Sequence, residues 1–298
     1  MTRPSPRCEH HTQRNHAVPD FDARTDRRDG QRVSRLLDQG SVVVLTGAGL
    51  STSSGIPAYR DCDGNWQQAN PIDHNDFLRS ASARQRYWAR SFFGWPVVGQ
   101  ASPSRGHHAL AHLESLNRLA LTITQNVDGL HQKAGSRSVL ELHGALDRVI
   151  CLGCRSAYPR ALVQEWLSAA NPGMARAAAR AAPDGDAHVA EGLHLGFRIA
   201  DCPGCGGVLK PDVVFFGDSV PRDRVSACID AIDAASGLLV IGSSLMVWSG
   251  FRFVDHARRR GKPVMAINLG KTRADHLLDA KVEQDCDEFL HLLRLRSS

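Results

Sequence analysis

Cys151 and Cys154 enclose Leu-Gly, and Cys202 and Cys205 enclose Pro-Gly, so the chain carries two matched C-x-x-C pairs. Thiolates at this spacing, in knuckles turned by glycine, form the ligand set of a four-coordinate zinc site. With a cysteine in every position no place is left for a reactive water, so the expected metal is structural. Other reactive side chains stand just beyond apolar runs. Gln125, Asn126 and Asp128 follow LALTIT in the string QNVDGLH, and His143 precedes Gly144 at the end of SVLELHG. Amides and a carboxylate suit a ribose and a carboxamide, although a bare N-x-D is equally the makings of an Asx turn. A histidine titrates near working pH and suits proton transfer, although at a strand end it is equally a hydrogen-bonded core residue.

Several elements must position these groups. Val42 to Leu45 is a continuous apolar run, as in a parallel strand covered on both faces. Gly47 and Gly49 follow it, where glycine lets backbone N–H groups approach a phosphate, and Ser51 or Thr52 can cap a following helix. This is a recipe for holding the pyrophosphate of a dinucleotide. The ordinary G-x-G-x-x-G fingerprint is not completed, since the next glycine is Gly55. Two more apolar runs, 238–245 and 263–270, also deliver polar or glycine residues, among them Gly242, Ser243, Ser244 and Asn268. Strands ending at Gly47, Gln125, Gly242 and Asn268 predict an α/β fold: a doubly wound, Rossmann-like parallel sheet binding one long ligand across its crevice.

The chain has 298 residues, a net charge of +5 and eight cysteines. No apolar run reaches the length of a membrane span, and the first residues, rich in Arg and His, lack the apolar centre of a secretory signal. Residues 1–28 read as a disordered tail, the cysteines as metal ligands or reduced thiols, and the location as cytoplasmic. Helices are expected over 31–39, 76–95, 107–118, 222–235 and 286–295. A loop is expected over the polar stretch after Arg60, and an Ala-rich helix and a turn within the insertion 155–201 between the cysteine pairs. Basic residues are scattered, against a zinc ribbon that binds nucleic acid.

The strings G-A-G-x-S, G-I-P-x-Y-R, QNVDGLH and the H-G pair together resemble the sirtuin family, the NAD-dependent protein deacylases. The likeness covers about residues 31–296. It implies NAD as cosubstrate, one structural zinc per chain on Cys151, Cys154, Cys202 and Cys205, and acylated proteins as partners. The implied products are nicotinamide, free lysine and acyl-ADP-ribose. His143 is then the general base, with Asn126 and Asp128 orienting the nicotinamide end. Cofactor contacts fall on Gly47, Ala48, Gly49, Ser51, Ala58, Tyr59, Arg60, Gln125, Gly242, Ser243, Ser244, Asn268, Gly270 and Cys286. Val213, Val214, Phe215, Phe216 and Gly217 are implied to pair the substrate peptide by strand addition. Tyr59 and Ala58 depart from the Phe and Asp of many members. RQRYWAR followed by GWP looks like the class II, mitochondrial lipoamidase and ADP-ribosyltransferase type. Tyr87 and Arg90, three apart, match a spacing used to hold an acyl carboxylate. The alternative for Arg90 is an internal salt bridge. The implied division is an NAD-binding domain over 29–145 and 206–298 and a zinc domain over 146–205, with a further helical part within 62–105. ADP-ribosyl transfer to protein and a weakly catalytic NAD-binding regulator are the alternative functions.

Overall fold

The computed structural model describes residues 24–61, 65, 71–174, 180–181, 187–188 and 194–296. Its strands are β1 (Val42–Thr46), β2 (Leu119–Thr124), β3 (Val139–Glu141), β4 (Gly144–Cys151), β5 (Ala157–Pro159), β6 (Arg180–Ala181), β7 (Ala187–His188), β8 (Leu209–Val213), β9 (Gly237–Ile241), β10 (Val264–Ile267) and β11 (Ala280–Val282). Its helices are α1 (Arg24–Asp38), α2 (His74–Arg79), α3 (Ala81–Gln100), α4 (Arg105–Ser115), α5 (Leu130–Lys133), α6 (Arg160–Ala170), α7 (Arg222–Ala234), α8 (Trp248–Arg259) and α9 (Cys286–Arg296).

Six strands form a parallel sheet in the order β11-β10-β9-β1-β2-β3. Alternation along β1 divides its side chains between two cores. Val42 and Val44 face Leu36, Leu110 and Leu290 of α1, α4 and α9; Val43 and Leu45 share the other core with Ile232 and Val254 of α7 and α8. Burial on both faces explains the unbroken apolar runs. Strand order reverses at β1: the chain moves outward through β2 and β3, then returns to β9 on the other flank. A crevice opens at the carboxyl ends of the strands at such a reversal.

A smaller antiparallel sheet, β5-β4-β8, carries the cysteine pairs. Its core joins Val149, Val163 and Leu209 to Tyr87, Trp88 and Phe92 of α3. Arg160 is buried there between the rings of Trp88 and Trp95, and its guanidinium donates to the Ser91 carbonyl.

Several expectations are corrected. The helix expected over 76–95 is two helices, because Ser80 adopts an extended conformation and its hydroxyl accepts from Ala83 N–H as the cap of α3. Asp73 caps α2 likewise. The helix expected over 31–39 begins at Arg24, within the stretch assigned to the tail. The apolar run Val213–Phe216 is strand only as far as Val213. Residues 1–23, most of the loop after Asp61, and residues 175–179 and 182–186 lie outside the described residues. Within the expected Ala-rich helix, Arg180–Ala181 are instead a short strand paired with β7.

Candidate active site

The loop after β1 does not begin an α-helix. It makes two successive 3-10 turns, Ala48–Leu50 and Thr52–Ser54, and neither Gly47 nor Ser51 caps its turn through a side chain. Its N–H groups are largely engaged: Gly47 donates to Ile241 O, Gly49 to Gly242 O, Leu50 to Gly47 O and Ser51 to Ala48 O. The glycines therefore serve close approach more than phosphate binding. A Cβ on Gly47 would lie 2.7 Å from Ser243 Cβ, and one on Gly49 2.9 Å from Gly242 Cα. Two loops, from the ends of β1 and β9, thus lie backbone against backbone at the strand reversal.

Around this seam the sequence-predicted polar groups converge. Asn126 Nδ2 donates to Gly47 O (3.0 Å) and to Ser51 Oγ (3.1 Å), and Ser51 Oγ donates to Asp128 Oδ2 (2.7 Å). A carboxylate only accepts, so the direction of this relay is set. Asp128 also accepts from Leu130 N–H (2.9 Å), which realises the Asx geometry as well. Burial raises the Asp128 pKa, against these hydrogen bonds. Gln125 turns inward: Nε2 donates to Ser243 Oγ (2.7 Å), and a Cβ on Gly250 would lie 2.5 Å from Oε1.

The backbone of Gln125 fixes His143. Nδ1 of His143 lies 3.0 Å from the Gln125 carbonyl, which can only accept, so Nδ1 carries the proton. Nε2 is left with its lone pair, and the Ser249 hydroxyl sits 2.8 Å from it. Burial lowers the His143 pKa; the carbonyl opposes this, and Arg224 and Arg252 add to it. The imidazole is held neutral in the tautomer a general base requires.

On the far side of the seam, Asn268 is buried and its Nδ2 donates to Leu269 O and Gly270 O, which turns Oδ1 away from these two carbonyls. Ser244 O accepts from Arg273 N–H. The buried Cys286 thiol donates to Gly49 O, joining α9 to the glycine loop, and burial pushes its pKa up. Ala58, Tyr59 and Arg60 lie half-buried beyond Gly55. The Tyr59 ring meets Phe216 edge-on at 6.4 Å.

Residues 213–217 run directly past the histidine, where Val214 N–H donates to His143 O (2.8 Å). His74 N–H fastens the Phe216 carbonyl, and a Cβ on Gly217, at φ +79°, would meet Asp73 Oδ2 at 2.5 Å. Phe215 is buried and Phe216 is 37 % exposed. Tyr87 is sealed in the core against Phe77, Trp88 and Phe215, and meets this segment at the Phe215 ring. Arg90 is half-buried on the same helix.

Cys151, Cys154, Cys202 and Cys205 place all four Sγ atoms within 4.8 Å of one another, the only such metal-ligating group among the described residues. The Cys151–Cys205 and Cys154–Cys202 separations are 3.5 and 3.7 Å. A tetrahedron with Zn–S bonds of about 2.3 Å has edges of about 3.8 Å, so the four thiols fit zinc.

Residues 47–249, from the glycine loop to the serine on His143, match the model of the Sir2 family. The chain belongs to the Sir2 family. An "NAD-dependent protein deacetylase" of Xanthomonas axonopodis pv. citri (strain 306) is 51% identical over 94% of this chain and 96% of its own length. One of Bordetella bronchiseptica (strain ATCC BAA-588 / NCTC 13252 / RB50) is 53% identical over 83% of this chain and 90% of its own. A solved structure described as "Sir2-p53 peptide-NAD+" aligns with a TM-score of 0.70 and 29% identity, covering 90% of this chain and 98% of its own. The Sir2 match supports the family named from the motifs; it does not single out a branch. Ser249 was missed by the sequence reading. A lone serine after Val-Trp has no spacing that marks it, and only the fold brings α8 against His143.

Proposed function

We propose that this Sir2-family chain is an NAD-dependent protein-lysine deacylase acting through His143. The observation that carries the reading is the histidine itself: Nδ1 is anchored by the Gln125 carbonyl, Nε2 meets the Ser249 hydroxyl, and the His143 carbonyl accepts from Val214 N–H of a segment suited to a peptide. The Asn126–Ser51–Asp128 relay and Asn268, placed on either side of the seam, fit a dinucleotide lying across the crevice. When bound, NAD supplies an electrophilic ribose carbon and a nicotinamide leaving group. Asn126 and Asp128 orient that end. The edge at Val213–Gly217 aligns the acyl-lysine, and Tyr59 with Phe216 excludes water. Nε2 of His143 would be the base that accepts the proton of a ribose hydroxyl in the acyl transfer. The four thiolates hold zinc in the small sheet and take no part in the chemistry.

For the acyl group, the reading is a class II preference for longer or carboxylated chains, supported by the Tyr87/Arg90 spacing and the GWP run. Tyr87 then shapes the wall behind Phe215, and Arg90 supplies the charge. The test compares glutaryl-lysine and acetyl-lysine peptides with wild type and Arg90→Met. A selective loss on the glutaryl peptide is expected, and equal losses on both contradict it. ADP-ribosyl transfer would appear instead as label from NAD on protein without dependence on an acyl peptide.

A further inference from the structure

Three hydroxyl–imidazole pairs occur among the described residues: Thr46 Oγ1 with His131 Nε2 (2.9 Å), Ser104 Oγ with His107 Nδ1 (2.9 Å) and Ser249 Oγ with His143 Nε2 (2.8 Å). The first two are sealed in the core, and Ser104 also caps α4. The third pair is half-buried, and Ser249 follows directly on the exposed Val247 and Trp248. Its proton positions are fixed. The Gln125 carbonyl takes the Nδ1 proton, so Nε2 accepts and the Ser249 hydroxyl donates. A hydroxyl donating to an imidazole whose other nitrogen is held by a third group is the arrangement that activates a serine as a nucleophile.

The place of Ser249 in the fold adds a second element. It is the second residue of the 12-residue helix α8, whose N-cap, Val247, offers no side-chain acceptor. Gly250 N–H and Phe251 N–H both donate to Val247 O, whereas Trp248 N–H and Ser249 N–H have no acceptor among the described residues. Two unpaired backbone donors next to the serine, at the positive end of a helix, suit the negative oxygen of a tetrahedral intermediate. Other serines of the site are committed elsewhere. Ser51 Oγ donates to the Asp128 carboxylate, and Ser243 Oγ accepts from Gln125 Nε2, so neither has an imidazole to take its proton. The exposed Val247 and Trp248 side chains give an apolar acyl chain a surface beside Ser249.

We propose that Ser249 is a nucleophile, and that with His143 it hydrolyses carboxylic esters without NAD. Ser249 Oγ bonds to the acyl carbon as its proton passes to Nε2. The bond from the acyl carbon to the alcohol oxygen breaks, and that oxygen takes the proton from Nε2. Water then gives a proton to Nε2 and adds its oxygen to the acyl carbon. The carboxylic acid leaves, and Ser249 Oγ recovers the proton. The sum is ester plus water to acid plus alcohol, with no redox change. The acyl-ribose ester is the substrate that would arise in place; that assignment rests on the deacylase reading, whereas hydrolysis of simple esters does not.

The test follows hydrolysis of p-nitrophenyl acetate and of acetyl-ADP-ribose, with NAD absent, by wild type, Ser249→Ala and His143→Ala. In parallel, wild type is quenched in acid during turnover, or treated with phenylmethylsulfonyl fluoride, and mass spectrometry locates the acetyl or sulfonyl group. Both groups should be found on Ser249, and both variants should lose about a hundredfold of the wild-type rate. Because the label is read at one residue of wild type, a variant that fails to fold does not decide the result. Labels on other side chains only, or wild-type rates in Ser249→Ala, overturn the proposal. Acetyl on Ser249 with acetyl-ADP-ribose left intact upholds the nucleophile and removes the ribose ester as its substrate. Peptide deacylation by a wild type that shows no label on Ser249 refutes this proposal alone; ester hydrolysis through Ser249 without peptide deacylation refutes only the deacylase reading.

Discussion

Ser249 Oγ lies 2.8 Å from Nε2 of His143, the ring nitrogen that must accept a proton, while Nδ1 is held by the Gln125 carbonyl. The base is therefore presented as one neutral tautomer before any ligand arrives. Burial holds its pKa below the ordinary histidine value of 6.5. Activity depends on the neutral form, so it should be complete above that pKa and fall only as pH drops through it. The acid limb of the kcat/KM profile should have its midpoint below pH 6.5. A midpoint at or above that value would mean that another group limits the rate.

The seam between the two glycine loops leaves no room for a methyl group. Gly47→Ala would drive a Cβ to 2.7 Å from Ser243 Cβ and 2.8 Å from Gly242 O. Backbone cannot swing aside as a flexible side chain can, so a cost of about 1–3 kcal/mol and a raised KM for NAD are expected. Gly173→Ala is the control, since nothing lies within 4 Å of its Cβ position. Thermal unfolding and NAD titration of both variants check this; equal behaviour would show that the seam yields.

The zinc ligands are continuous with the core of the small sheet, where Cys151 and Cys202 are buried beside Val149, Phe197 and Leu209. Chelation should therefore unfold this region and abolish turnover together. Near-ultraviolet circular dichroism of Trp88, Trp95 and Trp166 reports the loss. A chelated protein that keeps that spectrum and its activity would exclude the structural role.

Behind the site, His107 and His131 pack ring against ring at 4.9 Å, and both are buried. Burial holds their pKa values at about 4 and about 3, against 6.5 in the unfolded chain. Both are neutral in the fold and protonated on unfolding once the pH is below 6.5. Their contribution is intact above pH 6.5 and is lost progressively down to pH 4 and then 3. Near pH 5 unfolding should take up about two protons from this pair. His107→Gln/His131→Gln should flatten the dependence of Tm on pH between 6.5 and 4. An unchanged slope would place the acid sensitivity elsewhere.

The parallel sheet was legible because its strands are buried on both faces, which leaves unbroken apolar runs such as Val42–Leu45 and LLVI. The zinc site was legible because its ligands sit in two fixed spacings. What failed depended on local backbone choices made by tertiary contacts. Ser51 reads as a helix cap, but Asp128 takes its hydroxyl; Ser80 reads as mid-helix, but it ends one helix and caps the next. Gln125 reads as a ligand group, yet its side chain braces β1 against β9 and its carbonyl positions the histidine. Ser249 belongs to no motif, and only the packing of α8 brings it to His143.

The most direct test of the account is nicotinamide release from NAD by wild type and His143→Ala, with and without a panel of acyl-lysine peptides. Release should depend on peptide, and wild type should form acyl-ADP-ribose while His143→Ala does not. Release without peptide, with label from NAD on protein, would contradict deacylation in favour of ADP-ribosyl transfer. No release at all would contradict catalysis.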